Sequence, residues 1–259
     1  MHPQLLGGIS AYAVMLVVAV VVGIVVGLYS ARLTGVNFPR AAFMVVFPII
    51  PTLLGAKLYG LIERGGAYGA FFAELSGGFR YPGAVVGWVT AIAVGHKLRV
   101  LPITPGKLAD IVAPSFAFSL VVMRIGCILT GCCAGRVCSL PWAIQFPRES
   151  QVWHAHVHAG LLSIEAPLSL PVHPLQVYFG MLAFALGCFC LWLQKHKTYD
   201  GQVLLVFLTV YGLGQFLLEF LRFGPLPHVQ YLSLAIAMAA AGVLVARSVV
   251  RYAPVRARA

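Results

Sequence analysis

Apolar residues fill this chain in long unbroken runs, and polar residues are confined to the intervals between them. The runs predicted to be helical cover about Ala11–Tyr29, Ala41–Ile62, Pro82–Gly95, Leu108–Met123, Pro174–Leu193, Gln202–Leu221 and Val229–Ala246. A helix crosses the hydrocarbon core of a bilayer with about 20 apolar residues. The pattern therefore predicts an all-α polytopic membrane protein with about seven transmembrane helices. No Lys or Arg precedes the first run and no small-residue cleavage site follows it, so it reads as a retained helix and not a signal peptide. Pro48 and Pro51 predict a kink in the second. The third is short and is expected to continue into Lys97 or beyond.

Composition closes off the alternatives. The chain has 259 residues, 60% hydrophobic and 10% charged, whereas an ordinary soluble domain is about 25% charged. A water-soluble globule is excluded. The net charge of +11 would suit nucleic acid, but its placement fits membrane topology better, and no nucleic-acid partner is expected. Arg32, Arg40, Lys97, Arg99, Lys107, Lys195, Lys197, Arg247, Arg251, Arg256 and Arg258 fall on one side of the seven runs. The smaller set Arg64, Arg80, Arg124, Arg136, Arg148 and Arg222 falls on the other. The richer side is cytoplasmic, which puts the amino terminus outside and the carboxyl terminus inside. The longest interval, 125–172, then forms an extracytoplasmic head inserted in one integral membrane domain, 1–259. Alternation in its PWAIQF and VWHAHVH segments predicts short β-strands.

Ionisable groups within a span cost roughly 2.5–3.5 kcal/mol each and tend to mark function. Tyr211, Gln215, Glu219 and Arg222 recur at helical spacing on one face of the sixth run. The plain reading is a structural Glu219–Arg222 pair, but the tyrosine and amide make the stripe longer than such a pair requires. By the topology above, Glu219, Arg124, Lys57 and the group His173, Gln176 and Tyr178 all reach the outer headgroup level from four different helices. Lys57 alone could snorkel and Arg124 alone could be an interfacial anchor; their convergence points to a site. Arg124 and Arg136 flank the Gly- and Cys-rich turn RIGCILTGCCAGR. Arginine forks match phosphate oxygens, and glycines let backbone amides approach an anion. A lipid phosphate is the natural ligand.

Cys127, Cys132, Cys133 and Cys138 crowd into this turn and its sequel. They could form a structural disulfide, stay as small packing residues, or act as nucleophiles or metal ligands; the spacing lacks the C-x-x-C signature of zinc and thioredoxin-like sites. Cys188 and Cys190 lie within a span as packing residues. His154, His156 and His158 would share one strand face, yet without an obvious acidic or thiol partner they read as a polar loop. No metal and no cofactor is expected. Leu129–Cys132 spells Leu-Thr-Gly-Cys, like a lipobox, but it is internal and follows no removable signal.

The order of motifs resembles that of the bacterial prolipoprotein diacylglyceryl transferase family. The resemblance rests on GGFRYPGAVVG at 77–87, DIVAP at 110–114, RIGCILTGCCAGR at 124–136, PWAIQFP at 141–147, HPLQVY at 173–178, YGLGQFLLEFLR at 211–222 and VQYLS at 229–233. It implies a plasma-membrane enzyme with phosphatidylglycerol and lipobox-containing precursor proteins as partners. Such an enzyme moves a diacylglyceryl group onto the lipobox cysteine thiol at the outer face and releases glycerol 1-phosphate. The resemblance places Arg124 on the lipid headgroup. Tyr211, Glu219 and Arg222 match the acid-and-arginine motif of the sixth span, and His173, Gln176 and Tyr178 match a His-Pro-x-Gln-x-Tyr element.

This chain departs from the family pattern at several points. Pro82 replaces a histidine, Gln215 and Lys57 replace arginines, Cys127 and Thr130 replace asparagines, and Cys132 replaces a glutamate. The changes remove a candidate base and a phosphate clamp, so a divergent paralogue with altered lipid or thiol chemistry, or a non-enzymatic lipid-binding scaffold, is the alternative. Within the transferase reading, Arg124 is expected to bind phosphate with Lys57 and Arg136 helping. Gln176, Tyr178 and Gln215 would line the substrate site. His173 would be the base or merely a helix-start residue, and Tyr211, Glu219 and Arg222 would complete the catalytic end.

Overall fold

The computed structural model describes residues 4–5, 9–63, 81–99, 101, 103–224 and 227–256. Arg64, Arg80, Arg258 and the first part of the 77–87 motif lie outside the described residues. The chain begins with a two-residue antiparallel ribbon, β1 (Gln4–Leu5) and β2 (Ile9–Ser10). Nine helices follow among the described residues: α1 (Ala11–Leu33), α2 (Phe38–Val46), α3 (Ile49–Glu63), α4 (Tyr81–Lys97), α5 (Pro105–Thr130), α6 (Gln151–His158), α7 (Leu175–Gln194), α8 (Gln202–Glu219) and α9 (Pro227–Arg256).

By length and composition, six stretches among the described residues can cross a membrane: Ala11–Leu33, Phe38–Ile62, Pro105–Thr130, Leu175–Gln194, Gln202–Glu219 and Pro227–Val249. The expected count of seven is thus not met on this ground. The third predicted span is α4, which does continue to Lys97 but has only 17 residues, about 25 Å at 1.5 Å per residue. The apolar exterior fits a lipid surround. Val17, Ile50, Ile62, Val86, Met181 and Met238 are all more than 60% exposed, an arrangement that would aggregate in water.

Local signals explain the helix ends. The break between α2 and α3 falls at Phe47–Pro48, as the prolines predict, and the Thr52 hydroxyl donates to the Pro48 carbonyl. Thr104 caps α5 by accepting from the Lys107 amide at 3.2 Å, with Pro105 at the first position where its missing N–H is no loss. Gly131, at φ +63°, ends α5 in the left-handed turn that glycine tolerates best.

Helix α5 is the hub, packed against α1, α7 and α8, while α9 packs on α8 and α3 on α4. The last pair crosses very closely: a β-carbon on Gly55 would lie 2.3 Å from the Gly83 carbonyl oxygen, so small residues set the contact. Ala113, Ala117, Leu186, Cys190, Val203 and Phe207 form the seam between α5, α7 and α8.

The head corrects the expected strands. VWHAHVH lies in helix α6, capped by the Ser150 hydroxyl, which accepts from the Trp153 amide at 3.2 Å. PWAIQF and its sequel make only isolated bridges, Ile144 to Val172 and Pro147 to Leu168. Ala134, Phe146, Val152 and Val172 form the head's small core.

Candidate functional site

The end of α5, the start of α7 and the end of α8 all meet beneath the head. A strip of backbone at 134–136 sews them together. The Gly135 amide donates to the His173 carbonyl and the His173 amide to the Arg136 carbonyl, both at 3.0 Å. The Arg136 amide donates to Leu221 at 2.7 Å, and the Phe223 amide to Ala134 at 3.3 Å. Gly135 is needed here, because a β-carbon would lie 2.6 Å from the His173 β-carbon and 2.9 Å from two carbonyl oxygens. Segments distant in sequence are held in register by this strip.

On that frame the predicted polar groups fall into contact. Arg124 lays its guanidinium over the Phe179 ring at 4.4 Å and lies close to Tyr211, with Cys127 and Cys133 nearby. Tyr211 stacks on Phe207 at 5.4 Å. Glu219 is buried and receives both arms of Arg222, Nη2 donating to Oε1 at 2.8 Å and Nε to Oε2. This is the bidentate geometry that gives arginine–carboxylate pairs their strength. Arg222 also faces Cys133.

A second group lies alongside. The Trp142 indole donates to the Tyr178 hydroxyl at 2.8 Å, and that hydroxyl is 3.4 Å from His173 Nδ1. Gln176 is fully buried; its amide donates to the Cys132 carbonyl while its Oε1 has no protein partner. Arg136 and Arg222 line a hollow of about 450 Å³ with Val137, Leu161, Leu170, Phe223 and Gly224. Arg222, held by Glu219, and the exposed Arg136 set two cations on an apolar wall, which suits an anionic group attached to a hydrocarbon body.

All six cysteines stand as free thiols in this structure. Cys127, Cys132 and Cys133 bring their sulfurs within 4.8 Å of one another. Cys138 is outside that group, its amide bonded to Pro171. Hydrogen bonding with Cys127 and Cys132, reinforced by the Arg222 charge, holds the Cys133 thiol below the ordinary thiol range.

Not every predicted residue joins the cluster. Lys57 is on α3, which packs chiefly against α4. Gln215 is half-buried one turn beyond Tyr211. The three head histidines do not share a strand face, since they belong to a helix. His156 is fully buried, its Nδ1 accepting from the Leu170 amide at 3.3 Å and its ring set edge-on against Phe223. His154 does have an acidic neighbour, Glu149, at 3.2 Å. Sequence reasoning missed Trp142, whose only sign was its place in PWAIQFP. It also missed Asp110, a lone acid inside a span.

Comparison with known proteins adds an independent line. Residues 4–250 match the family described as prolipoprotein diacylglyceryl transferase. The chain is 28% identical over 232 residues to phosphatidylglycerol–prolipoprotein diacylglyceryl transferase 2 of Clostridium perfringens, covering 87% of this chain and 83% of that protein. It is likewise 28% identical over 228 residues to the Clostridium tetani transferase, covering 87% and 85%. The Nostoc transferase is 27% identical over 247 residues, covering 89% and 83%.

Proposed function

We propose, from the premise that the chain belongs to the prolipoprotein diacylglyceryl transferase family, that it moves the diacylglyceryl group of phosphatidylglycerol onto the cysteine thiol of lipobox-containing precursors. The observation that carries this reading is the gathering of Arg124, Arg136 and Arg222 with Tyr211, His173 and three thiols at one end of the bundle, beside an apolar hollow. The transfer breaks the bond between the diacylglyceryl carbon and a phosphate oxygen, so negative charge grows on the departing phosphate. Arg124, steadied over Phe179, is placed to hold that phosphate; Arg136 and Arg222 supply further positive charge from the lip of the hollow. Cations already in place stabilise such charge at little reorganisation cost. Glu219 holds Arg222 in place. Tyr178, oriented by Trp142, sets the His173 ring, the candidate general base.

In the same reading α4 is the third of seven crossings. The basic loops then put the amino terminus outside, the carboxyl terminus in the cytoplasm and the site toward the outer leaflet of a bacterial plasma membrane. The purified protein, in vesicles of phosphatidylglycerol labelled in its acyl chains, should add one diacylglyceryl mass to a lipobox peptide and release glycerol 1-phosphate. A folded protein that leaves the peptide unmodified would sink the reading.

A further inference from the structure

The three clustered thiols are more than packing demands. Cys127 is buried on the last turn of α5, but Cys132 is half-buried and Cys133 exposed, so neither of the latter fills a core. They meet because the chain turns sharply twice, at Gly131 (φ +63°) and at Cys133 (φ +59°). The second turn uses a conformation that a residue with a side chain rarely adopts. The result is a triangle of sulfurs within 4.8 Å. Three thiolates around one zinc ion, each about 2.3 Å from the metal, stand roughly 3.8 Å apart, so small side-chain rotations would close the triangle on an ion. Arg124 and Arg222 adjoin the thiols and balance their negative charge. Among the described residues no fourth metal-binding side chain joins the group. Three protein ligands and one open position is the pattern of a catalytic site and not of a closed structural one.

We infer that Cys127, Cys132 and Cys133 hold one soft divalent cation of the zinc class, and that its open position receives the acceptor cysteine of the precursor. The inference rests on the transferase reading for its second half only. A thiol bound to such a cation is deprotonated yet still carries the lone pair needed for attack. The bound sulfur forms a bond to the diacylglyceryl carbon, the carbon–oxygen bond breaks, and its electron pair leaves on the phosphate oxygen. The departing glycerol phosphate leaves with a second negative charge, the proton that the acceptor gave up on binding the cation passes to solvent, and the metal keeps its oxidation state. The site thus supplies acceptor activation in a chain where Pro82 stands at the family's histidine.

The test uses the full-length protein, stripped with chelator under reducing conditions and titrated with Co²⁺, followed by Zn²⁺ and, separately, Cu⁺ as competitors. One Co²⁺ per chain should bind with thiolate-to-metal charge-transfer absorption. A lipobox peptide should shift the cobalt d–d bands, and the same peptide with serine for its cysteine should not. Cys132→Ser and Cys133→Ser should each weaken Co²⁺ binding by more than about 100-fold, beyond what an outer-shell change does, while Cys138→Ser should bind normally. Thermal unfolding checks that each variant is folded, and wild-type spectra stand if one is not. No cobalt binding by reduced wild type, or a disulfide among these cysteines in the protein as isolated, would overturn the site. Unchanged transfer by metal-free protein would overturn its role in activation and leave the transferase reading intact. Peptide-dependent spectra without any transfer would instead uphold the site and count against the transferase reading.

Discussion

Two buried carboxylates lie at opposite ends of the helix bundle and are built differently. Asp110, on α5 far from the head, is fully buried. Its oxygens accept from Lys197 Nζ at 2.7 Å, from the Gly201 and Val203 amides at 2.9 Å, and from Leu204 at 3.2 Å. It neutralises the start of α8, where free amides and the helix dipole favour an anion. Asp200 nearby shares Lys197; burial opposes its ionisation, but hydrogen bonds from Thr104 and Lys197 and the charges of Lys197 and Lys107 outweigh it. Glu219, at the head end, is equally buried but relies on Arg222, which lines an open hollow. A saturated acid ties helices together. An acid with one partner beside a cavity positions a charge for something else. Burial of an acid within a span therefore does not by itself mark chemistry; the number of donors around it separates the two ends. The larger hollow, about 750 Å³, is at the Asp110 end, so size alone also misleads.

Substitutions at the two ends should separate stability from transfer. Asp110→Ala should have the largest effect. It leaves Lys197 without its buried partner and several amides unpaired, costing about 3–5 kcal/mol, seen as a large fall in Tm, with transfer per folded molecule nearly unchanged. Glu219→Gln keeps one acceptor for Arg222 but loses the charge. About 1–3 kcal/mol of stability should go, and transfer per folded molecule should fall by about tenfold or more. If instead Asp110→Ala abolished transfer in folded protein, the contrast between the ends would break. Gly135→Ala forces apart the strip that carries Arg136, His173 and Arg222, costing about 1–3 kcal/mol and slowing transfer together with stability.

The smallest effect concerns pH. Burial pushes the His156 pKa below its usual value, so the unfolded chain takes up the proton at higher pH than the folded one. Stability is then full above about pH 6.5, the unperturbed value, and falls on acidification through the window beneath it. His156→Gln should flatten the Tm profile in that window.

The bundle was legible because lipid demands long apolar helices and prolines announce their breaks. The head was not. The alternation in VWHAHVH suits a strand, but Val152, Trp153 and His156 also fall on one face of a helix and are the residues that α6 buries, and Ser150 supplies the cap. Arg124, Tyr211, Glu219 and Arg222 were legible because polar residues at helical spacing stand out in an apolar run. Asp110 was missed because Lys197, Gly201 and Val203 are some ninety positions away. Metal binding by the cysteines stayed one alternative among three because the spacing of Cys127, Cys132 and Cys133 carries no trace of the two left-handed turns that gather them.

The head-end cluster as the place of phosphate recognition is tested most directly by the transfer rate of Arg124→Ala in phosphatidylglycerol vesicles, measured beside its Tm. Loss of the Phe179 contact should cost only about 0.5–1 kcal/mol of stability, while the rate should fall by about 10²–10³-fold. A folded Arg124→Ala protein that transfers within about twofold of wild type, well inside the tenfold that 1.36 kcal/mol represents, would contradict the account.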